Sequence, residues 1–131
     1  MILGLGIDIV DIRRIEKSYK KYGECFLKKI FSDGEIKAAD KYGSKKKWLA
    51  HFAKRFAAKE AVAKALGSGI GKDISFKDAV VSNLESGKPS ISLIGRAEKK
   101  LKSMGSNPQI DISLSDDYPI AQAVVIISHG S

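Results

Sequence analysis

Apolar and polar positions alternate over residues 2–10, which predicts a strand with two different faces. The second face carries Gly4, Gly6 and the lone carboxylate of Asp8. Glycine weakens a strand and marks the close approach of another backbone or of a ligand. We therefore expect something to pack tightly against this face beside Asp8. The first face is apolar and consists of Leu3, Leu5, Ile7 and Ile9.

Capping residues set the boundaries of the predicted helices. Asp11 is expected to cap a first helix, and Ser32 with Glu35 fits a capping box that begins a second. A long third helix ends before Gly67, which suits the left-handed residue that follows a helix. A short amphipathic helix lies further along the chain. The predicted helices span about residues 12–22, 32–42, 45–66 and 96–104.

The strands are short and mostly neighbour one another along the chain, and turn residues such as Pro89 and Pro119 separate them. Because the helices concentrate in the N-terminal half, the pattern favours an α+β fold. We expect an antiparallel or mixed sheet with helices packed on one side. No internal repeat or linker is visible, so residues 1–131 are expected to form a single domain. The predicted strands span about residues 2–10, 78–84, 90–94, 110–115 and 120–127.

The last predicted strand, residues 120–127, is apolar on both faces apart from Gln122. In a domain with one sheet and one helical layer, one face of such a strand normally meets water. The second apolar face indicates either a further buried layer within the chain, with helices on both sides of the strand, or an interface between subunits.

Basic residues outnumber acidic ones by 23 to 15, which gives a net charge of +8 and a sequence pI near 9.6. Eight basic residues and a single acid lie within residues 41–64. This balance predicts a polyanionic partner: nucleic acid, an acidic protein or a phosphorylated cofactor. A solvated lysine-rich surface accounts for any one basic cluster equally well.

The composition excludes several classes of protein. Hydrophobic residues make up 44% and charged residues 29%, which is typical of a globular domain and excludes long disorder. The apolar runs are far shorter than a membrane span, and the first residues lack the basic region of a secretory signal. Cys25 has no second cysteine with which to form an internal disulfide. We expect a cytoplasmic protein without a membrane partner.

Two charged residues fall in the apolar sector of the long predicted helix. A helical wheel places Lys59 near the middle of that sector and Glu60 at its edge. Buried ionised groups are unfavourable unless they are paired or coordinated, so these residues form a structural Lys–Glu arrangement, extend their charged ends to water, or line the wall of a site. Asp8 is the other candidate carboxylate. Two carboxylates from separate elements suit Mg²⁺, although spacing alone does not pair Asp8 with Glu60.

The long helix is followed by a loop that contains Gly67, Gly69 and Gly71. It is neither a Walker A loop nor a dinucleotide-binding fingerprint, because it ends a helix instead of beginning one. The dipole at a helix C-terminus repels phosphate. Any phosphate held here would depend on turn amides and on lysines such as Lys64 and Lys72. The alternative is a flexible connector.

Two motifs of the chain resemble those of a known family. Residues 4–15, Gly-Leu-Gly-Ile-Asp-Ile-Val-Asp-Ile-Arg-Arg-Ile, resemble the opening of the holo-acyl-carrier-protein synthases, the small bacterial 4′-phosphopantetheinyl transferases. Residues 55–71, which begin Arg-Phe-Ala-Ala-Lys-Glu, resemble the second motif of that family. Residues 87–89 (Gly-Lys-Pro) and 112–115 (Ile-Ser-Leu-Ser) complete the pattern. The resemblance covers nearly the whole chain in the family's order and spacing.

The resemblance implies a Mg²⁺-dependent enzyme of fatty-acid biosynthesis with a 4′-phosphopantetheinyl transferase-like fold. Such an enzyme transfers 4′-phosphopantetheine from coenzyme A to a serine of apo acyl carrier protein and releases 3′,5′-ADP. Family members form homotrimers with their sites between subunits. The identity of the general base stays open between Glu60 and a metal-bound water.

The same resemblance assigns roles to individual residues. Asp8 and Glu60 would hold Mg²⁺ against the coenzyme A pyrophosphate, and Lys64 would complete the catalytic set beside the phosphates. Arg14, with Lys17 and Lys21, would dock the acidic carrier protein. The implied coenzyme A-binding residues are Arg55, Lys64, Gly67, Gly69, Gly71, Lys88 and Pro89.

One position departs from the family's pattern, because Asp116 stands where many members have histidine. An aspartate would repel a coenzyme A phosphate, which puts a phosphate contact at this position in doubt. The main alternative function is a basic nucleic-acid-binding module, which the charge and the Tyr-Lys-Lys-Tyr sequence of residues 19–22 favour. That alternative leaves Asp8 and its neighbouring glycines unexplained, so we expect no nucleic-acid partner.

Overall fold

Five strands and five α-helices make up most of the protein in this computed structural model, which describes residues 1–71 and 74–130. Short 3₁₀ turns lie at Ala39–Lys41 and Phe76–Asp78. None of the helices in these two ranges is both long enough and apolar enough to cross a membrane. In chain order the elements are β1 (Ile2–Asp11), α1 (Ile12–Tyr22), α2 (Glu24–Ile30), α3 (Asp33–Ala38), α4 (Lys45–Ala65), β2 (Ala79–Asn83), β3 (Pro89–Leu93), α5 (Gly95–Lys102), β4 (Pro108–Asp117) and β5 (Ile120–His129).

The strands form two antiparallel sheets. β1, β5 and β4 lie side by side in that order, and β2 pairs with β3. The long helix α4 crosses one face of the three-stranded sheet, where it buries Ala121, Ala123, Val125 and Ile127 of β5. The predicted α+β fold with an antiparallel sheet and helices on one side is confirmed.

The two glycines of β1 lie directly under α4. A Cβ atom at Gly6 would collide with the carbonyl oxygen of Ala61, and one at Gly4 would collide with that of Ala65. Any larger residue would therefore push the helix away from the strand. The tight packing expected on this face is confirmed, and the group that packs there is the backbone of α4.

Most predicted helix boundaries agree with the structure. The Asp11 carboxylate accepts a hydrogen bond from the Arg13 amide at 2.9 Å, and the capping box of Ser32 and Glu35 is present. The helix that begins at this box ends at Ala38, earlier than expected, and continues as the 3₁₀ turn. Helix α2 was not predicted, because it begins after a glycine and has no side-chain cap for sequence analysis to detect.

A buried ion pair joins α3 to α4. The Lys59 ammonium is fully buried, lies 2.9 Å from Glu35 Oε1, and donates to the carbonyl oxygens of Phe76 and Ala79. Glu35 Oε2 accepts the amide of Val81 at 2.9 Å. Lys59 therefore belongs to the core and not to a site wall, and its partner is Glu35 instead of its neighbour Glu60.

The other face of the three-stranded sheet carries an apolar patch. Leu5, Ile7 and Ile9 are 63%, 49% and 58% exposed, and Val124 and Ile126 beside them are half-buried. No element within residues 1–71 and 74–130 covers these five side chains, which we call the outer patch. Helices on both sides of β5, one of the two alternatives, are therefore not what the chain forms.

The glycine contact leads to a test of stability. Replacing Gly6 with alanine should lower the free energy of unfolding by about 1–3 kcal/mol, because the new methyl group meets a helix carbonyl that moves only with α4. Urea denaturation followed by circular dichroism measures the change. Gly43→Ala is the matched control, since a Cβ atom there meets nothing within 4 Å. Equal urea midpoints for both variants would contradict the packing constraint.

Candidate active site

Asp8 and Glu60 approach each other because β1 and α4 pack backbone against backbone. Asp8 follows Gly6 on the inner face of β1, and Glu60 precedes Ala61, whose carbonyl oxygen lies over that glycine. Burial raises the pKa of Glu60, and the negative charge of Asp8 raises it further. The structure thus brings together the two carboxylates that spacing alone did not pair.

Two cations offset the charge of these carboxylates. Lys64 Nζ donates to Asp8 Oδ1 at 3.1 Å and to the carbonyl oxygen of Ile7 at 2.9 Å. Lys64 and Arg14 both act against the rise in the pKa of Glu60. The three residues with a predicted catalytic role, Asp8, Glu60 and Lys64, are therefore neighbours. Arg14, which has a predicted docking role, lies beside them.

The donor set at this point fits a hard divalent cation. Both candidate ligands are carboxylates, and a cation between them would relieve the repulsion that raises the pKa of Glu60. The described part of the chain holds no group of three or more His, Cys, Asp or Glu side chains arranged for a metal. A cation bound here would therefore keep water or substrate oxygens as its other ligands, as Mg²⁺ commonly does. Asp8 and Glu60 are the residues that would hold it.

The glycine loop terminates α4. Gly67, Gly69 and Gly71 all have positive φ, at 80°, 74° and 133°. The amides of Gly67, Ser68 and Gly69 donate to carbonyls in the last turns of α4, and the Gly71 amide donates to Ile74. These four amides are occupied within the chain, so this conformation does not offer them as phosphate ligands. Lys72, the other lysine expected to contact a phosphate, lies outside the described residues.

The other residues expected to bind coenzyme A lie apart from the two carboxylates. Arg55 is only 5% exposed, and its Nη2 donates to Asn83 Oδ1 of β2 at 2.9 Å. Lys88 and Pro89 belong to the β2–β3 hairpin, and β3 packs beside β4. β1 and β4 are the opposite edges of the three-stranded sheet. Within a single copy of the chain, this hairpin therefore lies at the edge opposite Asp8.

The residues expected to dock a partner share one exposed surface of α1. Ile12 and Ile15 turn into the core, and Arg14, Lys17 and Lys21 remain exposed. Arg14 is close enough to Glu60 to oppose the rise in the pKa of that carboxyl group. The basic surface of α1 therefore borders the two carboxylates.

Two residues outside the predicted set have clear electrostatic roles. Asp116 Oδ1 lies 3.0 Å from Lys54 Nζ of α4, so the acid at this position has a compensating cation. Glu35, which was identified only as the fourth residue of a capping box, is also the partner of Lys59. The Ser-x-x-Glu pattern predicts the cap at Glu35. It does not predict either ion pair, because Lys59 is far from Glu35 along the chain and Lys54 is far from Asp116.

Comparisons with known proteins agree with this architecture. A family model of the 4′-phosphopantetheinyl transferase superfamily matches residues 4–123. A holo-[acyl-carrier-protein] synthase of Nitrobacter hamburgensis is 48% identical over 132 residues, which cover 98% of this chain and 95% of the relative. The crystal structure of holo-[acyl-carrier-protein] synthase from Neisseria meningitidis superposes with a TM-score of 0.86 at 33% identity and covers 98% of this chain and 100% of that chain.

A second crystal structure, that of Helicobacter pylori holo-[acyl-carrier-protein] synthase in complex with coenzyme A, superposes with a TM-score of 0.78 at 39% identity. The superposition covers 95% of this chain and 99% of that chain. The matches extend over the complete fold and over both motifs that carried the resemblance. The resemblance is therefore confirmed, and the chain belongs to the 4′-phosphopantetheinyl transferase superfamily.

Proposed function

We propose that residues 1–131 form one transferase domain that acts as a holo-acyl-carrier-protein synthase in the cytoplasm. It transfers 4′-phosphopantetheine from coenzyme A to a serine of an acyl carrier protein, in the pathway of fatty-acid biosynthesis. The observation that carries this proposal is the meeting of Asp8, Glu60 and Lys64 beside the basic surface of α1. Relatives named for this activity, one of them bound to coenzyme A, support it.

The reaction is a single phosphoryl transfer. The serine oxygen attacks the phosphorus that bears pantetheine, the bond from that phosphorus to the leaving oxygen of 3′,5′-ADP breaks, and the serine proton passes to a base. Lys64 supplies positive charge beside Asp8 that offsets the charge of the phosphates. A raised pKa makes the Glu60 carboxylate a stronger proton acceptor than an ordinary glutamate, so it either takes the proton or orients a water that does.

The proposal includes Mg²⁺ as the cofactor. Asp8 and Glu60 would hold it, and in that position it would offset charge on the coenzyme A pyrophosphate. The effect of the Asp8 charge on the pKa of Glu60 supports this assignment, because Glu60 lies in a field that a cation would relieve.

The activity and the metal requirement are tested together. With Mg²⁺ and coenzyme A, the protein should add phosphopantetheine to an apo carrier protein, which intact mass spectrometry detects. Asp8→Asn and Glu60→Gln should each lower kcat/KM by about 100-fold or more, because each removes a group from the reacting centre. EDTA should have the same effect, and added Mg²⁺ should reverse it.

The exposed carboxylate of Asp40 provides the control, so Asp40→Asn should retain the activity. Circular dichroism checks that all three variants are folded. A carrier that gains no mass while a known synthase modifies it in parallel would overturn the transferase function. Full activity after EDTA treatment would overturn only the metal requirement.

We propose that the acidic carrier protein docks on Arg14, Lys17 and Lys21 of α1. Their exposure and their position at the border of the Asp8–Glu60 pair support this surface. A basic surface that faces an acidic partner accelerates association by about 10- to 1,000-fold at low salt.

Reversing one of these charges tests the docking surface. Lys17→Glu should raise the KM for the carrier protein by about tenfold at low salt and leave the KM for coenzyme A nearly unchanged. The effect should shrink as salt screens the charges. Lys99→Glu, an equal charge change on the exposed side of α5, is the control. If both KM values rise equally, or if Lys99→Glu has the same effect, the surface is wrongly assigned.

We also propose that the working enzyme is a homotrimer assembled through the outer patch. Exposed apolar area of this kind favours burial between subunits. The two edges of the sheet provide a second reason, since Lys88 and Pro89 lie at the edge opposite Asp8. A site that uses Asp8 together with Lys88 and Pro89 needs residues from two copies of the chain.

Charging the outer patch tests this assembly. Leu5→Lys should dissociate the enzyme and abolish its activity together, because a buried lysine without a partner is unfavourable in an interface. Light scattering coupled to size exclusion measures the mass. Ile94→Lys, at a similarly exposed apolar residue outside the patch, should leave both properties unchanged. A wild-type monomer with full specific activity would contradict the proposal.

A further inference from the structure

Lys64 already binds one of the two carboxylates that would hold a metal ion. Its ammonium is 3.1 Å from Asp8 Oδ1, one of the oxygens that the proposed function gives to Mg²⁺. A metal ion and an ammonium repel each other, so they do not share one carboxylate oxygen without cost. In the structure described here, the ammonium of Lys64 acts as the counter-cation of Asp8.

We propose that Lys64 couples the two ligands of the site, because its ammonium stays on Asp8 until a phosphate group of coenzyme A draws it away. The metal and the phosphates then bind cooperatively, and neither ligand fills the site well without the other. This coupling rests on the proposed function and goes beyond it, since transfer itself does not require the two ligands to assist each other.

The contacts of Lys64 allow it to change partners. Its side chain is 51% exposed, whereas that of Asp8 is 17% exposed, so the lysine is the more mobile of the two. Among the described residues, two groups bind the ammonium: the Asp8 carboxylate and the carbonyl oxygen of Ile7. A lysine side chain is a flexible four-carbon stem with a compact charge, and the two phosphates of a pyrophosphate carry more negative charge than a single carboxylate.

The charges of the surrounding elements favour this exchange. β1 contributes Asp8, α4 contributes Glu60 and Lys64, and α1 contributes Arg14. Without ligands, the two cations and two carboxylates are balanced. A metal ion added alone would give the site excess positive charge next to Lys64. Phosphates added alone would approach two carboxylates, one of which would lose its ammonium. Both ligands together restore the balance.

Binding measurements test the coupling without any transfer reaction. The probes are Mn²⁺, which takes the same oxygen ligands as Mg²⁺, and coenzyme A in the absence of carrier protein. Calorimetry gives the Kd of Mn²⁺ with and without coenzyme A. For the wild type, coenzyme A should tighten Mn²⁺ binding by about 5- to 150-fold, the usual range for coupled sites. Mn²⁺ should tighten coenzyme A binding by the same factor, as linkage requires.

Removing the ammonium of Lys64 tests the coupling while both metal-binding carboxylates stay in place. Lys64→Met should bind Mn²⁺ alone at least about fivefold more tightly than the wild type, and the factor by which coenzyme A tightens Mn²⁺ binding should fall by the same amount. Lys54→Met is the matched control: it lies on the same helix, loses the same charge and breaks a lysine–aspartate pair, that with Asp116 at 3.0 Å. It should behave as the wild type does. Asp8→Asn should lose Mn²⁺ binding with and without coenzyme A.

Each contrary result overturns the coupling. Weaker binding of Mn²⁺ by folded Lys64→Met would mean that the lysine positions Asp8 for the metal. Equal Kd values with and without coenzyme A in the wild type would mean that the two ligands are independent. Neither result affects the transfer assay, so the proposed function would stand. Absence of Mn²⁺ binding in every variant, with transfer intact, would remove the metal site and the coupling with it.

Discussion

The backbone contact between β1 and α4 is the constraint on which the other features of the protein depend. Gly4 and Gly6 let the carbonyls of Ala65 and Ala61 come closer than any side chain would allow. That approach sets the distance between the strand that carries Asp8 and the helix that carries Glu60 and Lys64. The electrostatics of the site follow from it, because the pKa of Glu60 responds to burial and to charges on β1, on α1 and on α4 itself.

Adjacent residues of α4 meet opposite environments, because each residue turns about 100° around the helix axis. Lys59 points into the core and binds Glu35, which also holds the amide of Val81. Glu60 points to the edge of the sheet and lies near Asp8. Breaking a buried pair by removing one partner costs about 3–5 kcal/mol, so Lys59 keeps α3 and β2 in place against the helix that carries Glu60.

Local patterns were sufficient to predict elements whose signals lie within a few residues of one another. The alternation in β1, the cap at Asp11 and the apolar sector of α4 belong to this kind, and so do the glycines that precede Asp8. Long-range pairings were not accessible in this way. The partner of Lys59 is 24 residues distant along the chain and that of Asn83 is 28, and no periodicity links them. The pairing of Asp8 with Glu60 came from family resemblance, and the structure supplies its physical reason.

β1 packs against α4, positions Asp8 and forms much of the outer patch. The even-numbered residues from Gly4 to Asp8 face α4, whereas Leu5, Ile7 and Ile9 face the outer patch. Because side chains alternate strictly along a strand, the parity of a residue's number decides whether a substitution there affects helix packing and chemistry or the uncovered surface. A deletion of one residue after Gly4 would exchange all these assignments at once. The pairing of β1 with β5 shifts register between Ile2 and Gly4, before the glycines, so a residue added or removed there would leave the faces of residues 4–9 unchanged.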